Sequence, residues 1–183
     1  MAGNRGSADV ARDVRGFAVK LYTKTGPLTF HGRRVGCLVT DGVSGDLLET
    51  LHTAVQEQGG AVEIIAPRVG GVKTDRDKWV EADQQLAGGP SVLYDAVVIA
   101  VSENGVELLR REATARDFIA DAYARLKFIG FTSAATPLLT AAGLPEDSDE
   151  GTVELTDPSS VPEFVTKATH LRLWSRESSV RQI

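Results

Sequence analysis

Four short runs, each almost wholly apolar, recur along this chain: "RRVGCLVT" (33–40), "AVEIIAP" (61–67), "YDAVVIAV" (94–101) and "FIGFT" (128–132). A strand with one wet face alternates apolar and polar residues. These runs do not, so both faces of each must be covered. Helical segments lie between them. "DLLETLHTAVQEQGG" (46–60) sets Leu47, Leu48, Leu51, Ala54 and Val55 on one face and stops at a glycine pair. "ENGVELLRREATARDFIADAYARLK" (103–127) spaces Ala115, Phe118, Ile119, Ala122 and Leu126 in the same manner. Strand–helix alternation of this kind predicts an α/β fold, a mainly parallel sheet between two layers of helix.

The remaining segments fit around that frame. Residues 68–89 read as a hairpin-like excursion with a turn near Asp75–Asp77. "PLLTAAG" (137–143) is a helix, with Thr136 as its N-cap, Pro137 at its first position and Gly143 closing it. An acidic surface loop, "PEDSDEG", leads to an extended piece, "TVEL" (152–155). The last helix, "VPEFVTKATHL" (161–171), turns Phe164, Val165, Ala168 and Leu171 inward. The sequence thus divides into an arm (1–30), one α/β domain (31–177) and a short tail (178–183).

Charge and cysteine content exclude several classes of function. The chain of 183 residues has a net charge of −5, yet residues 1–34 carry seven Lys/Arg against Asp9 and Asp13, leaving −10 for the rest. Such an arm lacks the dense basic clustering of a nucleic-acid binder, and docking on an acidic body, its own or a neighbour's, accounts for it better. No apolar run reaches the roughly 18 residues of a membrane span. The charged start "MAGNRGSADVARDVRG" does not read as a secretory signal, and the single cysteine, Cys37, suits a reducing compartment. The expectation is a cytoplasmic protein.

Parallel sheets bind ligands beyond the carboxyl ends of their strands, here "TDGVSGD", "PRVGG", "AVSENG" and "TSAAT". The last of these offers Ser133 at the bend where α/β enzymes often hold a nucleophile. A nucleophilic serine needs a base, usually histidine. His31 precedes the first strand, His52 lies mid-helix and His170 is near the C-terminus, so none follows a strand. The proposed cap at Thr136 also places Ser133 upstream of its helix, away from activating amides. No Cys/His pair has metal-ligand spacing, and no glycine-rich phosphate loop is present. No metal is expected. Cys37 sits inside a buried strand, where thiols are usually inert packing groups.

Residues 30–176 resemble the PfpI-like, class I glutamine-amidotransferase-like superfamily. The likeness rests on "GRRVGCLVTDGV", "YDAVVIAV" and "ARDFIADAYARLKFIGFTSAATPLLTAAGL". It implies a flavodoxin-like three-layer sandwich. It also implies an elbow cysteine followed by histidine, an acidic residue after the first strand and a glycine pair after the third. Aligned by the flanking motifs, those positions fall on Ser133, Ala134, the neighbourhood of Ser44, and Val101 with Ser102. Every one of them departs from the superfamily pattern.

More narrowly, the body and the tail "HLRLWSRE" (170–177) are similar to the C-terminal domain of large-subunit haem catalases. Independently, "GSADVARDVRGFAVKLYTKTG" (6–26) is similar to a segment of the haem catalase core. The haem-binding residues of that core are missing from this chain. None of Tyr22, Tyr94 and Tyr123 stands in the Arg-rich sequence context of a haem-ligating tyrosine. The reading is a non-catalytic interaction, oligomerisation or folding-assistance domain that holds no haem by itself. It would form a homo-oligomer, with an arm either disordered or exchanged between subunits, and could partner haem-catalase subunits. Two alternatives stand beside it. One is a residual hydrolase or aldehyde-modifying enzyme using Ser133, or Cys37 as a redox thiol; the other is a shortened catalase active only with haem-bearing subunits.

Overall fold

The apolar runs pair as their composition requires. A computed structural model describes residues 28–146 and 149–180. Its main sheet has six strands in the order β5-β2-β1-β6-β7-β8, all parallel. The long strands lie inside: β1 (Arg34–Val39), β2 (Ala61–Ala66) and β6 (Ala96–Ala100), with β7 (Ile129–Phe131) beside them. The edges are short, β5 (Gln84–Gln85) and β8 (Thr152–Glu154). A separate antiparallel pair, β3 (Val72–Lys73) and β4 (Trp79–Val80), is the hairpin expected within 68–89. Its turn falls at Asp77, which adopts a φ of 57°.

Alternate residues of β1 serve opposite layers. Val35, Cys37 and Val39 join the cluster beneath α1 (Gly45–Glu57), while Leu38 faces the other way. The buried residues of α1 are Leu47, Leu48, Leu51, Ala54 and Val55, those expected from its periodicity. Fully burying such a leucine contributes about 1.5–3 kcal/mol. Gly59 follows α1 with a φ of +74°, the left-handed conformation that closes a helix cheaply only at glycine. On the second face, α2 (Glu103–Leu109), α3 (Ala113–Ala124) and α4 (Thr136–Ala141) cover Val97, Ile99, Ile129 and Phe131. α5 (Val161–Ala168) returns to the first face beside α1, burying Phe164 and Val165, and α6 (Glu177–Val180) ends the described chain.

Three sequence expectations need correction. Residues 103–127 form two helices, because the chain bends at Arg110–Glu112 after Leu109 has entered the core. Leu126 lies beyond α3 with a φ of 62°, and Lys127 is the buried residue there. Thr136 is the first residue of α4 and not its cap; its hydroxyl donates to the Ser133 carbonyl at 2.9 Å. The last long helix stops at Ala168, three residues short of the buried Leu171. The expected arm at 1–30 falls almost entirely outside the described residues. No helix among those described is long and apolar enough to cross a membrane.

Candidate functional site

The two ends of the sheet carry different chemistry. At the amino ends, charged groups tie the strands together. Arg33 pairs with Asp95 at 3.7 Å, and Asp95 accepts the Arg34 amide at 3.1 Å. Lys127, only 1 % exposed, donates to the Ser91 carbonyl, and the Ser91 hydroxyl donates to Asp121 at 2.5 Å. Burial pushes the Lys127 ammonium down to about 8, with the charge of Arg172 acting in the same direction. This end is braced.

The carboxyl ends hold the open geometry. β1 and β6 are neighbours whose connections leave in opposite directions, the switch point at which such sheets bind ligands. There, Ser102 donates its backbone N–H to Thr40 Oγ1 at 3.0 Å and its hydroxyl to the Asp41 carbonyl at 2.6 Å. Its oxygen also accepts the Gly105 amide at 3.1 Å, so Ser102 caps α2. A crevice of about 220 Å³ opens beside this network, walled by Thr40 and Asp41, by the loop from Pro67 to Val72, and by Asn104, Gly105 and Leu108 of α2. The hairpin holds one wall in place, for the Lys73 amide donates to Asp41 Oδ1 at 2.9 Å and Gly42 donates to the Lys73 carbonyl at 2.8 Å.

The elbow lies over the next strand. Thr132 ties it to β6, donating to the Val101 carbonyl at 3.0 Å. Ser133 then opens a 3₁₀ turn, Ser133–Ala135, that runs straight into α4. This corrects the expectation that Ser133 stands clear of the helix. Ser133 is exposed and its hydroxyl donates to Glu154 Oε1 at 2.5 Å. Glu154 comes from the edge strand β8, and nothing in its local sequence marks it. A carboxylate orients a serine but is a far weaker base than the imidazole that normally ionises one. His31 packs at the amino end against Gly59, His52 lies within α1, and His170 lines a cavity with Lys167 and Arg172. The other family positions are similarly placed. Ser44 caps α1 by accepting the Leu47 amide at 3.4 Å, Val101 is buried, and Ala134 is half-buried in the turn. Cys37 is fully buried, and its burial raises the thiol to about 12.

Residues 31–178 match the family model described as the C-terminal domain found in long catalases. The chain belongs to this family. Residues 1–35 match a second model, that of catalase itself. Among similar proteins, Catalase C of Rhizobium meliloti (strain 1021) is 52 % identical over 156 residues, covering 85 % of this chain and 22 % of that protein. Catalase HPII of Mycobacterium avium is 30 % identical over 165 residues, 82 % of this chain and 23 % of that protein. Catalase HPII of Pseudomonas putida is 25 % identical over 166 residues, again 23 % of its length. The chain therefore spans less than a quarter of the length of the curated relatives it matches, and the resemblances to the C-terminal domain of long catalases and to the catalase core both hold.

Catalases ligate haem iron through a tyrosine. Of the domain's described tyrosines, Tyr94 is buried, its ring over Gly36 and near Phe118. Tyr123 does have an arginine over it, Arg176 at 4.2 Å, brought from the end of the chain where sequence context could not reveal it. That arginine is committed to Asp149, and the hollow beside Tyr123 measures about 280 Å³. Pockets for drug-sized molecules run to roughly 300–1,000 Å³, and a porphyrin needs more than the hollow gives. Among the described residues, no three His, Cys, Asp or Glu side chains gather as a metal site.

Proposed function

We propose that this chain serves as a non-catalytic accessory domain of catalase, acting in interaction, oligomerisation or folding assistance without itself holding haem or decomposing peroxide. One observation carries the reading. The residues at the superfamily's catalytic positions are spent on local structure: Ser44 and Ser102 cap helices, and Ser133 is bound to Glu154 with no imidazole in its hydrogen-bonding shell. The long-catalase family membership supplies the context, and residues 1–35 extend it toward the catalase core. Self-association and pairing with haem-bearing catalase subunits are parts of the same reading.

The test is an absorption spectrum of the purified chain after haem supplementation, with oxygen evolution from peroxide followed in the same sample and mass measured by sedimentation. A flat Soret region, no oxygen and a mass above that of one chain are expected. A Soret band accompanied by oxygen would overturn the reading. Hydrolysis of an activated ester that disappears in Ser133→Ala would favour the residual-enzyme alternative.

A further inference from the structure

The crevice at the switch point carries two opposite charges that leave each other alone. Asp41 and Arg68 stand on different walls of the same 220 Å³ space, yet form no ion pair with one another. Asp41 Oδ1 is fixed by the Lys73 amide, while the Arg68 guanidinium has no hydrogen-bond or ion-pair partner among the described residues. The lining also includes the apolar side chains of Pro67, Val72 and Leu108, with the polar Thr40 and Asn104. Beyond the lining residues, Val69, next to Arg68 in the chain, is 83 % exposed, and Trp79 is 54 % exposed with its ring near Gly70.

We propose that this crevice binds a small zwitterion with an aliphatic body, an α-amino acid of the leucine type. The ligand carboxylate meets Arg68, whose planar fork suits a carboxylate. Its ammonium meets Asp41, and its side chain lies against Pro67, Val72 and Leu108. The volume falls below the roughly 300–1,000 Å³ of drug-sized pockets, which limits the occupant to a single residue. Asn104, on the α2 wall, offers a neutral polar contact. The site is separate from Ser133, which does not line it, and requires no catalysis.

Amide chemical-shift titration of the intact chain tests this with three probes: leucine, 4-methylpentanoate, which lacks the ammonium, and isopentylamine, which lacks the carboxylate. Leucine is expected to bind about tenfold more tightly than either, the difference that one modest charge contact makes. Arg68→Ala should weaken leucine and 4-methylpentanoate but leave isopentylamine unchanged. Asp41→Asn keeps an acceptor for the Lys73 amide and should weaken leucine and isopentylamine alone. Unchanged melting temperatures would show that both variants are folded. No shifts at millimolar leucine, equal binding of leucine and 4-methylpentanoate, or indifference to Arg68→Ala would each overturn the proposal.

Discussion

Two glycines, the buried Gly36 and the half-buried Gly105, show how closely the layers meet. A Cβ on Gly36, in the middle of β1, would lie 2.4 Å from Cδ2 of Tyr94; on Gly105 it would lie 2.0 Å from Thr40 Oγ1. Neither neighbour can retreat cheaply, since Tyr94 is buried and Thr40 is bonded to Ser102. Gly36→Ala is therefore expected to cost about 1–3 kcal/mol, the usual range for overpacking, read as a lowered urea midpoint at constant slope. At this scale the sequence was informative about packing and poor about the site. The apolar face of α1 could be read residue by residue from its period. Glu154 and Arg68 could not, because each reaches its place through pairings of distant segments and carries no local signature. The loops that hold Asp41, Arg68 and Asn104 were legible as carboxyl-end loops; their convergence was not.

Among the elements, the end of the chain has the strongest single anchor. Arg176 is 2 % exposed and donates to Asp149 Oδ2 at 2.5 Å, to Asp149 Oδ1 at 2.7 Å and to the Lys127 carbonyl at 2.7 Å. Burial alone would raise the Asp149 carboxyl, but the hydrogen bonds and charge of Arg176 hold it below its ordinary value. One side chain thus fastens the tail to the start of β7 and to the loop before β8. Arg176→Met should destabilise the fold by about 3–5 kcal/mol, because it strands a half-buried carboxylate. Arg176→Lys should fall between the two, keeping the charge and losing the fork, and chemical denaturation of the three proteins would order them. The sequence marked "WSR" as a feature without showing its purpose, since the anchor joins residues far apart in the chain. The break between α2 and α3 escaped for a related reason. Residues 103–127 are polar and periodic throughout, and only the packing of Leu109 against the sheet decides where the helix must turn.

For the whole molecule, pH discriminates between the buried groups. Lys127 titrates near 8 in the folded chain and near 10.5 when unfolded, so folding carries the cost of a buried ammonium at and below pH 8. Between those values the native state sheds its proton first, and stability rises with pH. Cys37 acts oppositely from about pH 9, where the unfolded thiol ionises while the native one, raised to about 12, stays protonated. Tyr94 is raised as well, first by burial and then by the charge of Glu63, and opposes stability at still higher pH. The unfolding free energy should therefore climb from pH 8 to about 9 and then flatten or fall. Lys127→Met should remove the climb, a change of about 1 kcal/mol over that interval at roughly 1.36 kcal/mol per unit. Denaturation curves at closely spaced pH values would record it. A climb that survives the substitution would assign it to another group.

The sheet tapers. Its inner strands β1, β2 and β6 run five or six residues, but the outermost offer only two at β5 and three at β8. A foreign strand arriving at either border finds too short a ladder of open backbone groups to template a cross-β stack. In a molecule whose strands β2 and β6 are mostly Val, Ile and Ala, that taper is a guard against runaway fibre growth.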